Sequence, residues 1–213
     1  MKNSPFYWTR NLWVFISSLL LLASCGSGNK ELPILSRQVE KDGELVYQTI
    51  PSFSFINQDS QVVSNETFSE KAYVVDFFFT SCPTICPILA QQMLKIHDHF
   101  EAEPKLALLS HTIDPKRDTV AKLAHYADNL GVRSDRWHFV TGQKADLYDI
   151  ADDYFNIVIE NADVPEGIDH SGRLVLVDQQ KHIRAFCNGT DPAEVDQFIV
   201  KIEQLLAEGR KVD

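Results

Sequence analysis

A run of mostly β-branched and aromatic residues covers positions 73–79, and six of its seven members are apolar. Such a run, without the alternation of a half-exposed strand, predicts a strand buried on both faces of a sheet. Residues 106–113 have the same character and predict a second buried strand. Residues 87 to about 100 predict a helix, because Pro87 suits a first helical turn, where its missing N–H costs nothing. The order strand–helix–strand therefore predicts an α/β sheet.

Shorter patterned segments on both sides of this unit extend the predicted sheet. An N-terminal hairpin is predicted from the strand-like segment 47–56, the turn at residues 57–60 and the apolar pair Val62-Val63. The other predicted elements are helices over 120–130, 143–155 and 192–208 and strands over 136–140, 173–177 and 183–187. This order predicts a thioredoxin-like fold, with a central mixed sheet flanked by helices and preceded by the hairpin.

The first 24 residues have the pattern of an export signal. Lys2 and Arg10 lie in a start without acidic residues, and residues 12–23 are almost all apolar but too few to span a membrane. Small residues then precede Cys25, as in the bacterial lipobox. We therefore expect residues 1–24 to be a lipoprotein signal peptide, Cys25 to be lipidated, and the protein to face the periplasm or the cell exterior. An uncleaved anchor or an ordinary signal peptide is the alternative.

The polar segment that follows Cys25, up to residue 42, predicts an irregular linker between the lipid anchor and a domain over residues 43–213. The whole chain has a net charge of −10. Without residues 1–24, which contain two basic and no acidic residues, 18 basic and 30 acidic residues remain. A chain this acidic is not expected to bind nucleic acid.

Cys82 and Cys86 follow the first buried strand, in the segment Cys-Pro-Thr-Ile-Cys-Pro. They therefore lie at the carboxyl end of that strand, the edge of an α/β sheet where ligand sites usually lie. Cys86 is expected near a helix N-terminus, where the dipole favours a thiolate. Such a pair can form a disulfide, exchange electrons or bind a soft metal.

With Cys187 the mature domain has three cysteines, an odd number that argues against a purely structural disulfide set. Cys187 itself is interpreted as a small residue of its strand.

His170 is the candidate for a third ligand. In a thioredoxin-like sheet the loop before strand 173–177 faces the two cysteines, and thioredoxin-type reductants place a cis-proline there. This chain has His170 instead, and the nearest proline, Pro165, lies five residues upstream. Two thiolates and one imidazole suit copper, since sulfur selects Cu(I) and imidazole also accommodates Cu(II). A structural zinc site would need a fourth protein ligand, and the sequence offers no convincing one.

Four segments together resemble the SCO/SenC copper chaperones: 78–87, 113–119, 137–142 and 169–171, within a likeness that runs from about 47 to 206. This resemblance implies a thioredoxin-like, membrane-anchored, extracytoplasmic protein with Cys82, Cys86 and His170 as copper ligands. It further implies delivery of copper to the dinuclear copper centre of cytochrome c oxidase, or reduction of that centre's cysteines. The implied partners are the copper-accepting oxidase subunit and a copper donor or thiol reductant.

The sequence itself leaves the choice between these functions open. A copper chaperone needs Cys82, Cys86 and His170, whereas a thiol-disulfide oxidoreductase needs only the two cysteines as its redox pair. A peroxidase is disfavoured, because peroxiredoxins carry a threonine or serine three residues before the reactive cysteine and this chain has Phe79 there. We predict copper chaperoning, with the reductase as the alternative.

Several other polar residues are candidates for supporting roles. Asp76 is the one charge in the first buried run, and it either has a raised pKa and acts on the thiols or hydrogen-bonds within the sheet. His111 and the pair Asp114 and Arg117 are candidates to support the ligands, although capping and ion pairing would explain Asp114 equally well. Asp118 or Thr119 is expected to cap helix 120–130. The remaining histidines are interpreted as helix-end, surface or strand-edge residues: His97, His99, His125, His138 and His182.

Overall fold

The computed structural model describes residues 31–155 and 171–209, together with the backbone of residues 158–160 and 168–170. Its strands are β1 (Gln38–Lys41), β2 (Glu44–Tyr47), β3 (Ser54–Asn57), β4 (Val62–Ser64), β5 (Ala72–Phe78), β6 (Leu106–Thr112), β7 (Trp137–Thr141), β8 (Val158–Glu160), β9 (Ile168–His170), β10 (Arg173–Val177) and β11 (Ile183–Asn188). Its helices are α1 (Cys86–His99), α2 (Val120–Leu130), α3 (Lys144–Asp153) and α4 (Pro192–Gly209), with a 3-10 helix at Asn65–Phe68.

Seven of these strands form the central sheet, in the order β11-β10-β5-β6-β7-β3-β4. The three inner strands β5, β6 and β7 run parallel, whereas β10 and β3 pair antiparallel with β5 and β7. Strands β1 and β2 form one separate antiparallel ladder, and β8 and β9 form another. The predicted mixed α/β sheet of thioredoxin-like order is confirmed.

Strand β5 is the centre of the core, and all seven of its residues are buried. It lies between β6 and β10, so that Val75 is paired with Leu109 on one side and Val175 on the other. A strand with neighbours on both edges and covered faces has no solvent-exposed position, which explains the apolar run in the sequence. The carboxyl end of β5 leads directly into the segment that contains the two cysteines.

The amino-terminal part of the domain differs from the prediction. The expected hairpin exists as β3 and β4, but Tyr47 belongs to a second hairpin, β1 and β2, whose turn is Asp42-Gly43 with both residues at positive φ. The expectation of an irregular linker up to residue 42 is corrected for residues 31–42. This segment contains β1, and the Leu35 N–H donates to the Ile183 carbonyl at 2.7 Å.

Over the part of the chain that the structure describes, no helix combines the length and the apolar character needed to cross a membrane. The signal peptide expected over residues 1–24, and Cys25 after it, lie outside the described residues. Their cleavage and lipidation stay predictions.

Candidate metal site

Cys82 and Cys86 are brought together by the turn between β5 and α1. The Cys82 N–H donates to the Phe79 carbonyl at 3.2 Å, and Cys86 is the first residue of α1. The Cys86 N–H then donates to Sγ of Cys82 at 3.4 Å, and the Thr84 hydroxyl lies 3.5 Å from the same sulfur. Both thiols are reduced and buried, with 8% and 3% of their surface exposed. The first N–H of α1 therefore points at the sulfur of Cys82.

The two thiols differ in acidity. Burial alone would raise the pKa of Cys82, but hydrogen bonds with Thr84 and with the thiol and backbone of Cys86 bring it below its ordinary value. Burial and the hydrogen bond to Cys82 raise the pKa of Cys86 well above its ordinary value. The expectation that the helix N-terminus favours a thiolate at Cys86 is therefore wrong. The N–H of Cys86 is donated to the sulfur of Cys82.

The backbone brings the His170 segment to the same edge of the sheet. A Cβ at Gly172 would lie 3.4 Å from Cδ1 of Ile85, which lies between the two cysteines. Gly172 is two residues from His170, and two residues span at most about 7 Å. The loop before β10 therefore faces the cysteine turn, as expected.

His170 itself is paired through its backbone with Val158, at the end of the β8–β9 ladder. Its side chain lies outside the described residues, so its role as a ligand stays a prediction. Among the side chains that the structure does describe, no three from histidine, cysteine, aspartate and glutamate are grouped as a metal site.

Asp118 is a buried carboxylate whose role sequence reasoning missed. It accepts the Thr80 N–H at 3.1 Å, the Thr80 hydroxyl, and the Thr112 hydroxyl at 2.6 Å. These bonds join the turn that leads to Cys82 with the end of β6. Thr119, not Asp118, caps α2. The available signal was a pair of threonines at the carboxyl ends of two neighbouring parallel strands, where one carboxylate can accept from both.

Asp76 combines both roles that the sequence left open. Its carboxylate is fully buried in β5 and accepts the Ser110 hydroxyl, whose oxygen in turn accepts the Trp137 indole N–H at 2.8 Å. Burial raises the pKa of Asp76 to about 7, although the Ser110 hydrogen bond opposes that shift. The charge of Asp76 also contributes to the raised pKa of Cys86. Asp76 therefore hydrogen-bonds within the sheet and acts electrostatically on one thiol.

His111 is packed in the aromatic core and does not support a ligand through any contact that the structure describes. Its ring stacks on Phe77 at 5.0 Å between centroids and contacts the edges of Phe53 and Phe55 and the tilted ring of Tyr154. Neither ring nitrogen has a hydrogen-bond partner among the described groups. Burial lowers the pKa of His111 to about 3, so the imidazole is neutral.

The other candidate polar residues have structural surroundings. Asp114 and Arg117 form an ion pair at 3.1 Å within their own turn. His138 is buried and lies 3.3 Å from the Asn57 amide, so its interpretation as a surface or edge residue is wrong. That interpretation failed because β7 lies between β6 and β3 and not at an edge. Cys187 is buried in β11 opposite Leu174, as a small packing residue.

Comparison with known proteins gives a consistent result. Residues 41–207 match the SCO1/SenC family. The SCO1 protein homolog of Bacillus subtilis (strain 168) is 26% identical over 189 residues, which cover 88% of this chain and 93% of that protein. The structure of BsSco, a member of the Sco family of cytochrome c oxidase assembly proteins, has a TM-score of 0.68 at 23% identity, covering 83% and 98% of the two chains. The structure of Arabidopsis thaliana ScoI with copper bound has a TM-score of 0.62 at 21% identity, covering 74% and 99%.

Proposed function

Because the chain belongs to the SCO1/SenC family, we propose that it binds one copper ion and passes it on during the assembly of cytochrome c oxidase. Cys82 and Cys86 would bind the ion, with His170 as the third ligand. The observation that carries the proposal is the convergence of two reduced thiols, with the Cys86 N–H 3.4 Å from Sγ of Cys82. This hydrogen bond holds the sulfur of Cys82 next to the backbone of Cys86, the residue that supplies the second sulfur.

The donor set fits copper as a cargo. Two thiolates select Cu(I), and one imidazole adds affinity for Cu(II). Binding must release the thiol protons, because only the thiolate is a ligand. A site with three protein ligands leaves a position at which a thiolate of the acceptor can attack before a bond to the donor is broken. Such a site therefore favours transfer over storage.

Glu31, the first described residue, lies near the opposite end of β5 from the cysteines. Glu31 and Ala72, the first residue of β5, line one surface cavity of about 250 Å³, whereas Cys82 follows the other end of β5. Seven strand residues span about 23 Å. If Cys25 is the lipidated residue, the six residues from it to Glu31 reach at most about 20 Å. A lipid anchor at Cys25 would then keep Glu31, the first described residue, within that distance of the membrane.

Replacing Cys82 with serine is expected to weaken copper binding by at least about a hundredfold, since even the loss of a group that only supports a ligand costs 10–100-fold. The measurement is a competition titration of the reduced full chain in detergent with one equivalent of Cu(I). Cys187→Ser is the matched control and should bind one copper ion as tightly as the unchanged protein, because Cys187 is buried in β11 opposite Leu174 and is not grouped with Cys82 and Cys86 among the described side chains. Equal affinity of the Cys82 and Cys187 variants would refute the proposed site.

Thiol-disulfide exchange is a second candidate function, favoured by the asymmetric geometry of the pair. Sγ of Cys82 receives the contacts from Cys86 and Thr84, whereas Cys86 is the more buried residue. This arrangement suits Cys82 as the attacking sulfur and Cys86 as the resolving one.

His170→Ala separates the two functions. The variant is expected to lose Cu(II) affinity by about tenfold or more, because imidazole is the ligand that accommodates Cu(II). It should retain its rate of thiol-disulfide exchange with a dithiol reductant, because that reaction uses only the two sulfurs. Unchanged Cu(II) affinity in this variant would remove His170 from the proposed ligand set.

A further inference from the structure

The β8–β9 hairpin carries His170 in its outermost pair, Val158↔His170. Just outside this pair a side chain joins the two arms, because Nη1 of Arg173 donates to the Phe155 carbonyl. Phe155 lies three residues before Val158, and Arg173 lies three residues after His170. The Arg173 bond therefore joins the two arms at the base of the hairpin, at equal spacing from the Val158↔His170 pair.

Arg173 is well placed to act as a fixed point. It is the first residue of β10, where it is paired with Asn188 of β11 in the central sheet. Its guanidinium lies 4.9 Å from the centre of the Phe186 ring, a cation–π contact that holds the planar group in one orientation. Next to it, the Gly189 N–H donates to the Gly172 carbonyl at 2.9 Å. The second arm is thus attached to the rigid part of the fold.

Phe155 is held in a conformation that needs support. Its φ of +57° is in the left-handed region, which is unfavourable for a bulky side chain and persists only where the surroundings impose it. The guanidinium of Arg37 lies over its ring at 5.1 Å, and Arg173 donates a hydrogen bond to its carbonyl. Two arginines therefore contact this residue, and Arg173 connects it to the second arm.

From these contacts we propose that Arg173 is a positioning residue for His170. Among the described residues the hairpin has three pairs, and a two-stranded hairpin of that length is marginal by itself. The bond at its base therefore decides whether the outermost pair, which contains His170, stays formed. The inference rests on the proposed function in one respect, since it gives His170 the task of a copper ligand.

The first test uses the metal-free full chain in detergent and needs no copper. Arg173→Met should accelerate amide hydrogen exchange at residues 158–160 and 168–170 by about tenfold or more, since a hydrogen bond from a charged donor is lost. Exchange in β5 and β6 should not change. Arg37→Met is the matched control, because it removes the other arginine from Phe155 without opening the base of the hairpin. Arg173→Lys should restore part of the protection. Unchanged exchange in Arg173→Met would overturn the proposal.

The second test asks whether Arg173 acts through His170. Arg173→Met should weaken Cu(II) binding by about tenfold or more and Cu(I) binding much less, because imidazole matters more for Cu(II). In a His170→Ala background the same change should have no further effect on Cu(II) affinity. An equal loss in both backgrounds would show that Arg173 has only a structural role. If the unchanged protein binds no copper, the proposed function fails, and the exchange measurement still decides whether Arg173 closes the hairpin.

Discussion

Asp76→Asn is expected to raise the free energy of unfolding at pH 8 by about 4 kcal/mol. The pKa of Asp76 is raised to about 7 in the folded protein from an ordinary value of 3.8. The folded state therefore holds this proton more tightly than the unfolded chain does. The resulting stability is fully present below about pH 4 and is lost as the pH rises through 7. Asparagine keeps an oxygen that can accept the Ser110 hydroxyl but carries no charge, and so it avoids this loss.

Urea denaturation of the Asp76→Asn protein at several values from pH 4 to pH 8 measures the effect. The gain over the unchanged protein should be small at pH 4 and should grow by roughly 1.4 kcal/mol for each pH unit up to 7. Asp128→Asn, on the exposed side of α2, is the matched control and should change stability by less than about 0.5 kcal/mol throughout. A gain of equal size at pH 4 and pH 8 would show that the charge of Asp76 is not the cause.

A buried carboxylate that destabilises the protein at neutral pH is unusual in a strand that is otherwise apolar. Its charge raises the pKa of the Cys86 thiol, so Asp76 favours the protonated form of one of the two sulfurs. Positions at which local stability is sacrificed are expected at functional sites. Asp76 is therefore best understood with the cysteine pair and not as part of the packing.

The sequence predicted those features that depend on neighbours along the chain. The apolar run over 73–79 identified β5 to within one residue at each end, because a central parallel strand has no exposed face. Pro87 identified the start of α1 to within one residue, because proline suits the first turn of a helix. The hairpin of β1 and β2 was missed although its Asp42-Gly43 turn is a readable signal. Its strands are short and exposed, so they have no hydrophobic pattern.

Features that depend on contacts across the fold could not be predicted. Asp118 bonds Thr80 across 38 positions of the chain, and the two threonines indicate this role only once the ends of β5 and β6 are known to be neighbours. Which cysteine receives the N–H at the start of α1 depends on how the turn closes, and the sequence favoured the wrong one. Arg173 likewise gains its role from Phe155, which is remote in the chain and adjacent in space.

His111→Phe is expected to stabilise the protein by about 3 kcal/mol more at pH 4 than at pH 8. The pKa of His111 is lowered to about 3 from an ordinary value of 6.5, so protons bind the unfolded chain more tightly. The contribution of the neutral imidazole to the free energy of unfolding is fully present above pH 6.5 and is lost as the pH falls through 3. Phenylalanine fits an aromatic cluster, does not titrate, and also removes two buried nitrogens that lack described partners. Urea denaturation between pH 4 and pH 8 is the measurement, with His125→Phe on the exposed side of α2 as the control.

Comparing the pH profiles of the two single variants and the double variant should separate the contribution of Asp76 from that of His111. Asp76 and His111 lie on opposite faces of adjacent strands, since Asp76 is paired with Ser110 and His111 with Phe77, so their effects should add. Between about pH 4 and 6.5 their contributions have opposite slopes of roughly 1.4 kcal/mol per pH unit and cancel. His138 is a third buried group, and burial lowers its pKa to about 4, so it adds a slope of the same sign as that of His111. The Asp76→Asn protein should therefore gain stability with rising pH most steeply in this window, the His111→Phe protein should be nearly flat, and the double variant should keep the rising slope of His138. A double variant that loses stability with rising pH in this window would mean that a further buried group controls the acid stability of this fold.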